Sequence, residues 1–180
     1  MTEIFDSDGL RRAIVRLAHE IEEKNKGLNG LVLAGIKRGG EIVARRIQAA
    51  IAEFSGIELP CAGLDIGMKR DDLVTGAFVP AAQKNVLGFA IDGKRVVLCD
   101  DVLYTGRSAA AAIETLFSLG RPQAIELLAL VDRGGRQLPV RADFVGKNVP
   151  TAAREYVEVC FTELGAERDA LSISSGRKKC

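Results

Sequence analysis

Two adjacent carboxylates, Asp100 and Asp101, follow the apolar run Val96-Val97-Leu98-Cys99 and precede Tyr104-Thr105-Gly106-Arg107-Ser108. A short, continuous apolar run reads as a buried strand, and neighbouring side chains on a strand diverge, so the two acids face different targets. The Thr-Gly-Arg-Ser loop then opens an alanine-rich helical segment, Ser108–Leu119. Backbone N–H groups at a helix start hold an anion, the Thr105 and Ser108 hydroxyls add donors, and Gly106 lets the backbone come close. The set suits a molecule with a monophosphate at one end and vicinal hydroxyls nearby. The carboxylates accept from the hydroxyls and help to position Mg²⁺, which prefers phosphate and carboxylate oxygens. A polar strand end before an ordinary helix cap is the plain alternative, but it leaves the coincidence of apolar run, paired acids and loop unexplained. Neither G-x-x-x-x-G-K-[ST] nor a G-x-G-x-x-G after a strand occurs, so nucleotide binding of those two kinds is unsupported.

The surrounding pattern must supply the scaffold. Leu10, Ile14, Leu17 and Ile21 form the apolar stripe of a helix over Leu10–Lys24, with Ser7 or Asp8 as its cap. Leu31–Ile36 reads as a buried parallel strand ending at Arg38-Gly39-Gly40, and Glu41–Phe54 as the next helix. Leu59–Gly67, Val96–Cys99, Ala124–Val131, Asp143–Val145 and Tyr156–Leu164 are the remaining strand segments. Residues 71–92 read as a long functional loop or hairpin. The pattern decays from Gly165, which predicts one domain over 1–164 and a frayed C-terminal tail over 165–180. Alternating helices and strands predict an α/β fold with a central, mostly parallel sheet. Ligands in such folds bind at the carboxyl ends of the strands, which selects Lys37–Gly40, Asp100–Ser108 and Asp132–Gly135.

Composition narrows the classes. In 180 residues, Lys+Arg is 25 and Asp+Glu 24, so the chain is not a globally basic nucleic-acid binder, although a local basic face is allowed. Aromatics are 5% with no Trp, which argues against a stacking platform for single strands. The acidic start MTEIFDSDG is no secretory signal, and no apolar run is long enough to span a membrane. The cysteines, Cys61, Cys99, Cys160 and Cys180, lack metal-ligand spacing and the single His is His19, so a structural zinc site is not expected. The first three lie beside apolar residues and read as small buried hydrophobes of a reduced, cytoplasmic protein.

The stretch from Val96 to Ser108 resembles the 5-phosphoribosyl-1-pyrophosphate (PRPP) signature of type I phosphoribosyltransferases. Asp65–Leu73, Val131–Gly134 and Leu138–Thr151, with Arg11-Arg12-Ala13, Ala18-His19-Glu20 and Asn25-Lys26-Gly27, resemble the pyrimidine-operon attenuator family, in matching order from about Leu10 to Leu164. That resemblance implies a central sheet flanked by helices, a flexible loop and a small hood. It implies a uracil phosphoribosyltransferase that makes UMP and pyrophosphate from uracil and PRPP with Mg²⁺, binds pyrimidine leader mRNA, and forms a homo-oligomer, dimer or tetramer. Carried onto this chain, Asp100 and Asp101 hold the ribose hydroxyls and the PRPP-bound Mg²⁺. Tyr104, Thr105, Gly106, Arg107 and Ser108 wrap the 5′-phosphate, and Lys37, Arg38 and Gly39 form the pyrophosphate loop. Arg70 sits at the base of the closing loop, while Arg133, with the backbone around Val131, lines the uracil pocket.

Four positions depart from the family. Arg38-Gly39-Gly40 stands where Thr-Arg-Gly is usual, Val15 where Thr is common, and Gly135 where His follows Val-Asp-Arg-Gly. The last two belong to the RNA-contact surface, which keeps an enzyme with weakened or lost RNA binding as the alternative. For RNA, Arg12 and Arg16 share a helix face with His19, and Arg133, Arg136, Arg141, Lys147 and Arg154 are opposed only by Asp143 in their stretch. Arg12, Arg16, His19, Arg141 and Lys147 are the expected RNA contacts, to a folded hairpin rather than a groove. A purine-specific enzyme fits the later motifs poorly, and a regulator without catalysis fits the intact acids poorly.

Overall fold

The computed structural model describes residues 2–67, 87–152 and 154–176. Its elements in order are β1 (Thr2–Phe5), α1 (Ser7–Asn25), β2 (Leu31–Ile36), α2 (Gly39–Ser55), β3 (Cys61–Leu64), β4 (Arg95–Leu103), α3 (Arg107–Leu119), β5 (Ala124–Asp132), β6 (Phe144–Asn148), β7 (Tyr156–Cys160) and β8 (Ala170–Ser174). Asp6, not Ser7 or Asp8, caps α1: its Oδ1 accepts from the Gly9 N–H at 2.7 Å. The carboxylate one residue earlier reaches the first-turn donors because α1 starts three residues before its apolar stripe does.

Five parallel strands form the main sheet in the order β3-β2-β4-β5-β6. Alternate residues divide between two cores. Leu31, Leu33, Val97 and Cys99 pack with α1 and α2, while Val32, Ala34, Ile36, Val96 and Leu98 pack with α3. Both faces are covered, which is why β2 and β4 read as continuous apolar runs. Leu17, Ile21, Ile47 and Ile51 are fully buried where α1 meets α2. Each contributes roughly 1.5–3 kcal/mol, so the position of α2 against the sheet is well determined. Cys61 is half-buried and Cys99 fully buried; burial pushes the Cys61 thiol up to about 11 and the Cys99 thiol up as well, which makes both poor nucleophiles.

The second sheet is antiparallel, β1-β8-β7. This corrects the expectation of a frayed tail from Gly165, because β8 is the central strand, with Ile173 opposite Thr2 and Ala170 opposite Cys160. Leu171 and Ile173 join Val157, Val159, Ile4 and Phe5 against the α1/α2 core. Five residues with only two large apolar side chains carry too little periodicity to be seen without their partners. Arg46 of α2 ties this sheet down. Its guanidinium donates to Glu163 at 2.8 Å and to Asp169 at 3.0 Å, and it stacks 5.0 Å from the Phe161 ring centroid. Hydrogen bonds from Arg46 hold both carboxyls below the usual carboxylate range. Among the described residues no helix is long and apolar enough to cross a membrane.

Candidate active site

The strand order reverses between β2 and β4. From β2 the chain crosses by α2 to β3, and from β4 it crosses by α3, on the other face, to β5. A crevice opens at such a switch point, beyond the carboxyl ends of the strands. All three loops selected from the sequence leave neighbouring strands at this edge. Arg70 lies outside the described residues, as do Asp71 and Asp72.

The two acids sit inside β4, which runs four residues past Cys99, and not at a solvent-facing tip. The ladder continues because Asp100 pairs with Ala129 and Val102 with Val131 of β5. Asp100 is 6% exposed, and its Oδ1 accepts from the Asp101 N–H at 3.0 Å. Asp101 is half-buried and turns to the other face, toward the first residue of α2. A Cβ at Gly39 would fall 2.5 Å from the Asp101 Cγ, so the carboxylate lies directly against the Gly39 backbone. α2 begins there without a side-chain cap, and the positive end of its dipole favours the carboxylate. Gly39 occupies the place of the family's usual arginine. The cation at Arg38 is exposed, as is Lys37, and the Lys37–Arg38 peptide bond is cis.

Across the crevice, Gly106 takes φ 91°, a left-handed conformation that favours glycine, and starts α3. The first turn carries no acidic residue and no side-chain cap. The Thr105 Oγ1 accepts from the Arg107 N–H at 3.3 Å, folding the loop back on itself. A cavity of about 240 Å³ lies at this helix start, lined by Asp100, Tyr104, Thr105, Gly106 and Ser108 among others. It brings together one acid and four of the five residues expected at the 5′-phosphate. Arg107 is exposed and does not line it.

The loop after β5 is fastened to the loop after β4. The Asp132 Oδ1 accepts from the Gly134 N–H at 2.9 Å, while its Oδ2 pairs with Arg136. Arg136 donates in turn to the carbonyls of Tyr104 at 2.8 Å and Val140 at 3.0 Å. Arg133 is 9% exposed; it donates to the Thr151 Oγ1 at 3.0 Å and the Glu155 carbonyl at 2.8 Å, and lies 4.0 Å from the Tyr104 ring centroid. Arg133 and Arg136 are therefore structural to this loop, and the cationic surplus counted along 133–154 is not all surface charge. Val131 is fully buried within β5, so its side chain belongs to the core. Thr151, Glu155 and Arg136 support the site without having been singled out for it. Their role depends on tertiary pairing, and the only sequence signal was their lying in or beside the family stretches.

Of the expected RNA contacts, Arg12, Arg16 and Lys147 line one concavity of about 360 Å³ with Phe5, Gly9, Ala13 and Gly146. Arg16 donates to the Gly146 carbonyl at 2.6 Å and pairs with Glu20, and the Lys147 Nζ lies 5.7 Å from the Phe5 ring centroid. His19 does not line it; its ring stacks on Phe54 of α2 at 4.1 Å. Arg141 is exposed but lies outside this concavity, between Val140 and Ala142, which pack on the α3 side. Val15 faces a different groove, shared with Arg46 and Asp169.

A parallel sheet with paired acids and an uncapped, glycine-led helix start at its switch point is the type I phosphoribosyltransferase fold. The phosphoribosyl transferase domain family model matches residues 1–159. A hypoxanthine phosphoribosyltransferase of Trypanosoma cruzi shares the fold with TM-score 0.71 and 21% identity, covering 96% of this chain and 95% of its own. The bifunctional protein PyrR of Pelotomaculum thermopropionicum is 49% identical over 173 residues, 96% of each chain. That of Thermus aquaticus is 51% identical over 165 residues, 92% of this chain and 91% of its own. The chain belongs to the phosphoribosyltransferase family and, within it, to the bifunctional PyrR proteins.

Proposed function

We propose that the chain transfers the phosphoribosyl group of PRPP to uracil, giving UMP and pyrophosphate. In the same reading, its UMP-bound form binds pyrimidine leader mRNA and attenuates transcription of pyrimidine biosynthesis genes. The observation that carries the enzymatic half is the meeting of Asp100, Asp101, the α3 start and the Lys37–Gly39 loop at one switch point. In the reaction the bond from the anomeric carbon to a pyrophosphate oxygen breaks, a bond to the uracil N1 forms, and the N1 proton leaves to the departing pyrophosphate or solvent. The helix start holds the 5′-phosphate, Asp100 and Asp101 accept from the ribose hydroxyls, and Lys37 and Arg38 stabilise charge on the departing pyrophosphate. Arg133, fixed by Thr151 and Glu155, borders the base.

Among the described residues no group of three His, Cys, Asp or Glu could hold a metal by itself. Two carboxylates do fit Mg²⁺ that arrives on the substrate's phosphate oxygens, since this ion uses one or two protein carboxylates beside phosphates. Bound there, it supplies positive charge against the pyrophosphate. The concavity of Arg12, Arg16 and Lys147 supports the RNA half, as three cations around a surface hollow suit phosphates of a folded hairpin.

Nucleotide formation from PRPP with each nucleobase tests the enzyme, and a gel shift of the cognate leader with and without UMP tests the regulator. Uracil is expected to lead other bases by roughly 10⁴, with Mg²⁺ required and UMP promoting the shift. Faster use of hypoxanthine or guanine overturns the base assignment, and a shift indifferent to UMP or to salt overturns the regulatory one.

A further inference from the structure

Tyr104 is the only aromatic residue in the loop after β4, and 39% of its surface remains exposed. Its ring is nevertheless placed by two neighbours from the loop after β5. Arg133 lies 4.0 Å from its centroid. On the same loop, a Cβ at Gly135 would fall 3.0 Å from the Tyr104 Cδ2 and closer still to Cε2, so the ring fills the space that a side chain at 135 would need. Gly134 offers a built-in comparison: both glycines have φ 72°, but nothing lies within 4 Å of a Cβ at Gly134. Left-handed backbone therefore explains glycine at both positions, while only Gly135 also explains where the tyrosine lies.

We infer that Gly135 is a positioning residue: its missing side chain is the seat that holds the Tyr104 ring under Arg133, linking the phosphate loop to the base-side loop. The expected effect on uracil rests on the proposed place of Arg133 beside the base. A side chain at 135 displaces the ring, and among the described residues Arg133 then keeps Thr151 and the Glu155 carbonyl as its fixed partners.

The chain has two tyrosines and no tryptophan, so Tyr156→Phe leaves Tyr104 as the sole emitter of tyrosine fluorescence. In that background, Gly135→Ala and Gly134→Ala impose similar backbone strain, and only the first reaches the ring. Acrylamide quenching of Tyr104 is expected to rise about twofold in Gly135→Ala and to stay unchanged in Gly134→Ala. The KM for uracil is expected to rise roughly threefold to tenfold in Gly135→Ala alone, the size of one lost cation–π contact, with kcat within about twofold. Equal quenching in the two variants overturns the inference. Raised quenching with an unchanged KM for uracil upholds the seat and removes Arg133 from the base pocket. Tyr104→Ala provides rescue should Gly135→Ala fold poorly: the double variant should melt no lower than Tyr104→Ala combined with Gly134→Ala. A double variant that melts as low as Gly135→Ala overturns the seat as well.

Discussion

Gly39→Ala should disable turnover without unfolding the chain. The new Cβ would stand 2.5 Å from the Asp101 Cγ and nearer to its Oδ2, whereas ordinary carbon contacts begin near 3.4 Å. The Asp101 carboxylate must therefore retreat by close to 1 Å, and a misplacement of ~1 Å in a reacting constellation costs about 10²-fold. Gly39 has no left-handed φ, and alanine is the better helix former, so backbone strain does not confuse the result. Gly40→Ala is the contrasting perturbation, because its Cβ would meet the Asp100 Cα at 3.0 Å and other β4 backbone, which cannot swing aside. The assay is UMP formation at saturating PRPP, uracil and Mg²⁺, paired with thermal melting. Gly39→Ala should lose about 10² in turnover with little change in melting temperature, whereas Gly40→Ala should lower the melting temperature. Turnover of Gly39→Ala within about threefold of the parent would refute the close seating of Asp101 on α2.

Asp100→Asn should reduce turnover strongly and, since Asp100 is 6% exposed and bonded to the Asp101 N–H, also destabilise the fold by about 1 kcal/mol; Asp101→Asn should reduce turnover alone, as paired activity and urea-unfolding measurements will show. Arg46→Met should cost about 1–3 kcal/mol near neutral pH, discounted because Glu163 is 45% exposed. The folded-state pKa values of Glu163 and Asp169 are lowered, so their contribution is present above the ordinary carboxylate pKa of ~4 and lost as pH falls through the lowered values. The deficit of Arg46→Met should therefore shrink in acid, and an equal deficit at about pH 3 and pH 7 would contradict the assignment. Lys147→Gln and Arg12→Gln should each weaken leader-RNA binding and reduce its salt dependence by roughly one contact, with catalysis unchanged, while Arg141→Gln should do less because it lies off the concavity. A larger loss from Arg141→Gln in a salt-titrated gel shift would move the RNA face to the α3 side.

The main sheet and the strand ends that carry the candidate site were legible because they rest on local signals. Leu31–Ile36 and Val96–Cys99 are apolar without interruption, and a strand buried on both faces has no other appearance. The acids were found by their adjacency and by the loop that follows. What the sequence withheld depends on partners far along the chain. Nothing near Asp100 says that β4 continues to Leu103; that follows from pairing with β5. His19 shares a helical face with Arg12 and Arg16, yet Phe54, from another helix, draws its ring away. Arg133 and Arg136 count as charges in a linear tally and become internal fasteners once Thr151, Glu155 and Asp132 surround them. β8 is two leucine-sized residues among serines until β1 and β7 flank it.

The pairing of β1 with β8 imposes an order on synthesis. All five strands of the main sheet have been made once Asn148 is added, but the core on the α1/α2 side of that sheet is completed only by Val149, Phe161 and Leu171, which follow β6. Among the described residues β1 comes first of the strands in the chain, and β8, the strand that pairs with it, comes last. Until Ser174 leaves the ribosome, β1 lacks β8 to pair with, and until Glu163 and Asp169 follow, Arg46 on α2 waits without them. Domains fold from the N-terminus as they are made, but here the N-terminal strand is held in reserve. A nascent chain stalled between β6 and β8 carries all five main-sheet strands but lacks Leu171 on their α1/α2 side and the partner of β1, so protease nicking of such a chain should concentrate on residues 2–5 and on the segment after Asn148.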